Sequence, residues 1–395
     1  MESTQSVASD SNVSEALREG AVIPAASRAE RFTSYDVEAF EVPGGREENW
    51  RFTPMKRLRG LHDGSAVASG EITLETEAAP ELKIETVGRD DARLGEAGVP
   101  SDRIAAQAYS SFAKATIVTV PKETQASKPS VLRIHGPGEG KVAYGHLQVR
   151  AEAFAEAVIV LDHVGSGTYA DNVEFVIGDS AKITVVSVQD WADDAVHVSE
   201  QHLRLGRDAT LNHTVVTLGG DLVRISPTAT FADRGGDVDM LGVYFSDAGQ
   251  HQEHRLFVDH AVPNCKSRVM YKGALQGEGA HAVWIGDVLI RAAAEATDTY
   301  ELNRNLVLTP GARADSVPNL EIETGEIEGA GHASATGRFD DEQLFYLQSR
   351  GIGEEAARRL VVRGFFHEIL VRIGVPEVRE RLEAAIEAEL EAVGA

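Results

Sequence analysis

The chain has 395 residues, of which 38 are Lys or Arg and 62 are Asp or Glu, for a formal charge of −24 with histidine neutral. A field of that sign repels phosphate backbones and anionic headgroups, which makes nucleic acid and membrane surfaces poor partners, and a composition 43% hydrophobic and 25% charged excludes wholesale disorder. The single cysteine, Cys265, excludes an intrachain disulfide, and the sequence shows neither a leader pattern nor a membrane-length apolar run, so a cytoplasmic protein is expected.

In chain order, residues 1–45 read as a flexible N-terminal segment: the first thirty are rich in Ser, Ala and Glu, and residues 13–20 are their only helix-like piece. Residues 46–114 read as a mixed region. Trp50, Phe52 and Met55 lie among five basic residues around a turn at Pro54, the makings of a structural anchor, and residues 102–108 can form a helix.

Residues 115–337 form a succession of short β runs, among them ATIVTV, AVIVLDHV, KITVVSV, VDMLGVYF, EHRLFVDH and AVWIGDVLI, separated by Gly, Asp, Ser and Asn. A motif of glycine, a small residue three places on and an aliphatic residue two further recurs at Gly178, Ala181 and Ile183, at Gly206, Ala209 and Leu211, and at Gly235, Val238 and Met240. Each repeat supplies a turn and a strand that cannot bury its face alone, which is the logic of a stacked solenoid. Ile183, Leu211 and Met240 are therefore expected at equivalent inward positions. A sandwich or a barrel competes, but apolar runs without clean alternation favour a parallel β-helix.

Residues 338–395 read as a small α-helical C-terminal domain. Residues 340–343 offer an N-cap with Gln three places on, Leu344, Phe345 and Leu347 follow, and Gly351 stops the helix. Ala357, Val361, Phe365, Ile369 and Ile373 recur at i, i+4, and Leu382, Ile386, Leu390 and Val393 stripe a last helix. Phe345, Tyr346, Phe365 and Phe366 exceed what so small a core needs.

Several motifs fail on their chemistry. GSGTYA at 165–170 matches a dinucleotide loop, but a β run follows where a helix must present its N-terminus. The glycine-rich loop 136–141 ends in Lys141 followed by Val142, without the hydroxyl a phosphate loop places on magnesium, so the chain carries no nucleotide site of its own. His251 and His254 fall on opposite faces of a strand, unlike a metal-binding pair on a helix. Asp162 with His163, and Asp259 with His260, end β runs without a serine elbow and read as rung-end hydrogen bonding. Cys265 reads as a buried small residue. His332, flanked by small residues where the β region meets the helices, is accessible, and a ligand role competes there with a structural hydrogen bond.

NRNLVLTPGARADSVPNLEIE at 303–323, GHASATG at 331–337 and DEQLFYLQSRGI at 341–352, with YKGAL from Tyr271, TDTY from Thr297 and ENWRFT from Glu48, closely resemble the SufB/SufD family over most of residues 46–375. The resemblance implies a right-handed parallel β-helix between helical terminal segments and a non-catalytic scaffold role in iron–sulfur cluster assembly. Ala312, Arg313 and Ala314 stand where SufB-like chains carry cysteine, which favours the SufD side. Also implied are a SufB-like partner subunit and a SufC-like ATPase, the latter docking through Phe345, Tyr346, Leu347 and Arg350. An iron–sulfur cluster, transient and shared with the SufB-like subunit, would take His332 as its ligand from this chain, the position onto which the family's interface histidine maps, and Ala330, where many relatives carry a cysteine, supplies no thiolate. The alternatives are a β-helix carbohydrate-active enzyme, which needs an outward ladder of carboxylates and basic residues, and a purely structural homo-oligomer.

Overall fold

The protein is described by a computed structural model over residues 31–339 and 341–392; the helix-like piece at 13–20, the capping position Asp340 and Val393 lie outside the described residues. Strands β1 (Thr73–Glu77) and β2 (Lys83–Val87) and helix α1 (Arg103–Ser111) precede a long run of strands that alternate between two sheets. One sheet holds β1, β4 (Ser130–His135), β6 (Glu156–Gly165), β8 (Lys182–Trp191), β10 (Thr210–Thr217), β12 (Asp237–Ser246), β14 (Lys266–Leu275), β16 (Asp298–Val307) and β18 (Gly329–Arg338), in that order. The other holds β2, β3 (Ala115–Val120), β5 (Val142–Ala151), β7 (Thr168–Ile177), β9 (Val196–Leu205), β11 (Leu222–Phe231), β13 (His251–His260), β15 (His281–Ile290) and β17 (Arg313–Ile322). Apart from the antiparallel pairs β1 with β4 and β2 with β3, neighbours run parallel, and the whole is a parallel β-solenoid of about eight turns.

The corners explain why the repeat shows in the sequence. Phe154, Ser180, Asp208, Gly235, Asn264 and Ala296 occupy the same corner on six successive turns, all left-handed with φ between +52° and +80°. Five of the six carry a Cβ there, at a cost of roughly 1 kcal/mol each. What holds them is backbone pairing between coils: Phe154 N–H donates to Asp179 O (2.9 Å), Ser180 N–H to Arg207 O (2.8 Å) and Asn264 N–H to Glu295 O (2.8 Å). Gly178 has an ordinary φ and is needed for a different reason, because a Cβ there would stand 2.8 Å from Ala151 O on the preceding coil.

The register corrects one expectation. Ile183, Leu211 and Val238 form a row, whereas Met240 pairs with His213, two places further along. The third corner places Gly235, not a residue two positions on from the motif glycine, at the left-handed site of Ser180 and Asp208, so the sequence match there was out of step by two. Because strand side chains repeat every two residues, Met240 still points inward and is fully buried.

Three apolar clusters result. The first fills the solenoid between the sheets and includes Ile159, Phe175, Ile183, Leu211, Met240, Tyr271 and Trp284. The second covers the outer face of the sheet that ends in β18: Val160, Val186, Val216, Leu241 and Phe245 lie beneath helices α3 (Glu354–Leu370) and α4 (Pro376–Ala392), which follow α2 (Asp341–Ser349). The buried stripe of α3 is Ala357, Val362, Phe366, Ile369 and Leu370, one place on from the expected Val361 and Phe365, which sit half-buried at its margin. The reason is the broad flat sheet, which takes a wider helical face than an i, i+4 line supplies. Lys272 Nζ fixes α3 through Phe365 O (2.9 Å) and Glu368 (2.7 Å), and Arg381 fixes α4 through Asp162 (2.7 Å) and Asp190 (2.8 Å). The third cluster covers the other sheet, packing Trp50, Leu58, Leu61, Ile104 and Phe112 against Tyr144, Ala170, Val198 and Leu222.

Candidate functional site

The covered solenoid ends in an uncovered turn. Strands β17 and β18 terminate the two sheets, so each has one edge that no described strand pairs. The inward row of β16 is Thr299, Glu301, Asn303 and Asn305, all buried, and directly above it on β18 lie Ala330, His332, Ser334 and Thr336. His332 therefore belongs to the row that on every earlier turn faces the core, and it is exposed because no further coil lies over it. β18, of sequence GAGHASATGR, has little intrinsic strand preference and keeps its form through pairing with β16.

Below His332 the interior is polar. Asn305 donates to Thr336 Oγ1 (3.2 Å) and to Asn303 Oδ1 (2.8 Å), Asn303 donates to the Tyr244 hydroxyl (2.9 Å), and that hydroxyl donates back to Asn305 Oδ1. Tyr244 stacks on His254, whose Nε2 pairs with Thr217 Oγ1 at 3.0 Å. Burial pushes His254 down to about 3 and His213 down to about 4, so both imidazoles are neutral near pH 7. Unmet polar groups inside a protein cost about 1–3 kcal/mol each, so a chain of hydrogen bonds reaching the open end is a specific construction. Sequence reading missed it. The available signal was the pair of asparagines two apart, Asn303 and Asn305, which a strand places on one face.

The helical surface is the second expected site. On α2, Leu344 is buried and Leu347 half-buried, while Phe345 and Tyr346 are 72% and 56% exposed. The Arg350 guanidinium lies 4.9 Å from the centre of the Tyr346 ring, so the two form one stacked outward unit. Of the four aromatics expected in surplus, Phe366 is spent in the core and Phe365 packs partly against it beneath Lys272, leaving Phe345 and Tyr346 free of that packing.

The remaining flagged residues have structural tasks. Cys265 is buried, burial pushes its thiol up, and Sγ faces Asp233 O at 3.8 Å, which makes it inert. His251 and His254 occupy opposite faces as expected: His251 lies with Glu253, and His254 points into the interior. Asp162 binds Arg133 and Arg381, Asp259 binds Arg291, and His260 binds Ser267. Strands β5 and β7, not helices, follow the two glycine loops.

The N-terminal anchor is electrostatic as well as apolar. Arg224 lies 4.0 Å above the Trp50 ring and pairs with Asp102 (3.0 Å) and Glu253 (3.3 Å), and Thr53 donates to Glu253 Oε2 (2.7 Å). Burial alone raises the Glu253 carboxyl, but the hydrogen bond from His251 and the charges of Arg224 and Arg255 outweigh it and hold the group well below the usual carboxylate range.

Residues 133–365 match the SufBD core domain of the SUF system of iron–sulfur cluster assembly. An iron–sulfur cluster assembly SufBD family protein of Mycobacterium tuberculosis is 65% identical over 371 residues, covering 92% of this chain and 94% of the relative. The Mycobacterium leprae counterpart is 62% identical over 378 residues, covering 94% and 96%. The iron–sulfur cluster assembly protein SufD of Escherichia coli is 25% identical over 381 residues, covering 87% and 88%. No described helix is long and apolar enough to cross a membrane.

Proposed function

The chain belongs to the SufBD family of iron–sulfur cluster assembly proteins, and on that premise we propose that it is the SufD-like, non-catalytic scaffold subunit of a cytoplasmic assembly complex. The observation that carries this reading is the open last turn, whose unpaired edges and inward-facing His332 stand ready for a second chain to continue the sheets. A SufB-like subunit pairs along β17 and β18 and closes the turn, so that His332 lies at the junction. The nascent cluster is cargo there. One imidazole from this chain with thiolates from the partner gives the iron a sufficient donor set, in keeping with the burial of Cys265.

A SufC-like ATPase docks on the helical end, where Phe345, Tyr346 and Arg350 present an aromatic and guanidinium surface with Leu347 at its base. Nucleotide hydrolysis belongs to that partner. An enzyme acting on polysaccharide along a solenoid needs its carboxylates on an open outer face, and here much of both outer faces lies under the N-terminal anchor and helices α3 and α4.

The test is co-expression with a SufB-like and a SufC-like protein. His332→Ala should leave the complex intact while iron and sulfide content fall, whereas Tyr346→Ala with Arg350→Ala should release the ATPase without changing circular dichroism. Full cluster yield in His332→Ala removes that residue from the site, and recovery of this chain only as pairs of itself supports the homo-oligomer instead.

A further inference from the structure

Far from the open end, the interior holds a second polar cluster that the scaffold reading does not use. His163 on β6, Asp171 on β7 and His197 on β9 are all buried, and one ligand atom from each lies within 4.8 Å of the other two. We infer that these three residues form a binding site for a single first-row divalent metal ion of the Fe2+ or Zn2+ class, which joins the two sheets across the core.

Three features of the cluster point to a metal. Its donors are two imidazoles and one carboxylate, the set that suits these ions, and small side-chain rotations bring three such atoms to the bond lengths of about 2.0–2.2 Å that a metal requires. One of the imidazoles, His197, is also held in the ligating tautomer. Gln189 Oε1 accepts from the Trp191 indole N–H (2.9 Å), which can only donate, and so that oxygen is fixed in place. His197 Nδ1 lies 2.8 Å from the same oxygen and 3.3 Å from the indole nitrogen, and the shorter contact puts the hydrogen on Nδ1, since a lone pair there would face the oxygen's own. His163 Nδ1 lies between Val188 O (3.1 Å), which can only accept, and the Gln189 amide nitrogen (3.2 Å), which can only donate. His197 thus gives one N–H to a side-chain carbonyl oxygen and turns Nε2 towards Asp171, the arrangement that outer partners impose on metal-binding histidines.

The third feature is a contact that the protein alone does not satisfy. His197 Nε2 lies 3.3 Å from Asp171 Oδ1, and with the hydrogen on Nδ1 both atoms present lone pairs. A cation between them resolves the conflict, and so does a second proton on the ring, so the experiment must separate these two. Tyr169 stacked on His197 (16° between planes) and Trp191 edge-on to it keep the ring from turning away. All three ligands come from within a few residues of the corners that connect the two sheets, so the site is one side-chain layer below a turn.

The tag-free full-length chain, produced in medium supplemented with Zn2+ and dialysed against a weak chelator, should hold close to one ion per molecule by elemental analysis. Refolded with Co2+ as a spectroscopic probe, it should show visible d–d bands and a higher unfolding temperature than the metal-free chain. Asp171→Asn keeps the shape and a hydrogen-bonding side chain but loses the anion, and should lower Co2+ affinity on the roughly 10–100-fold scale of disturbed metal sites. His163→Gln with His197→Gln should abolish the bands, while His332→Ala should keep them, which separates this site from the proposed cluster site. Ion content unchanged in Asp171→Asn, or a folded wild-type chain that takes up no Co2+ on refolding, assigns the contact to a doubly protonated ring and overturns the proposal.

Discussion

Strands β7 and β18 have the same length and the same parallel pairing, yet every residue of β7 is buried and most of β18 is exposed. The backbone does not differ between them. What differs is cover: β7 has a coil on either side and the N-terminal anchor against its outer face, whereas β18 has one neighbour and ends the sheet. Proteins commonly blunt such an edge with lysine or proline, and β18 carries neither. Its glycines, alanines and serine instead leave room for another backbone to approach closely. An unprotected edge of small residues suits the partner pairing proposed above.

Substitutions in the two regions should therefore act on different properties. Phe175→Ala, in the buried turn, should cost about 3–5 kcal/mol of stability, read as a shift in the urea midpoint. Ser334→Ala in the open turn should stay within about 0.5 kcal/mol. Removing the anchor's central charge comes next: Glu253→Gln leaves Arg224 paired with Asp102 alone and Arg255 hydrogen-bonded to the neutral Asn49 amide, and should cost about 3 kcal/mol at pH 7. The folded carboxyl lies below its unfolded value, so its contribution is fully present above about pH 4.3 and declines as pH falls from there towards the folded value. The gap between wild type and Glu253→Gln should accordingly narrow on acidification through that window, and a gap independent of pH would detach the anchor from this charge.

The same contrast explains what could be read from sequence. The covered turns announced themselves through aliphatic runs such as those of β6, β8 and β12, together with recurring corners. β9, with Ser199, Glu200, Gln201 and His202, and β18, with its glycines and alanines, were not seen as strands, because a parallel neighbour on the next coil rather than side-chain preference sets their conformation. His332 was singled out by its small neighbours and its family resemblance. That it occupies an inward row left open, above Glu301 and the Asn303–Asn305–Tyr244 network, depends on register, and local patterns do not encode which residues of distant strands lie side by side.

Smaller effects sharpen the comparison. Arg381→Ala leaves Asp162 with Arg133 alone and should cost about 1 kcal/mol, with faster proteolysis of α4 as the specific readout and no change in resistance of the anchor. Ala335→Lys, on the open strand, should change the stability of the isolated chain by less than about 0.5 kcal/mol and yet prevent pairing with a SufB-like subunit, since edge lysines oppose strand addition. Copurification that survives Ala335→Lys would move the partner surface away from β18.

The central claim, that the open turn is closed by a partner strand, is tested most directly by amide hydrogen exchange of the chain alone and in complex with a SufB-like subunit. The account predicts that β17 and β18 exchange quickly in the free chain and become strongly protected in the complex, while β7 is equally protected in both. Protection appearing elsewhere with β17 and β18 unchanged would contradict it.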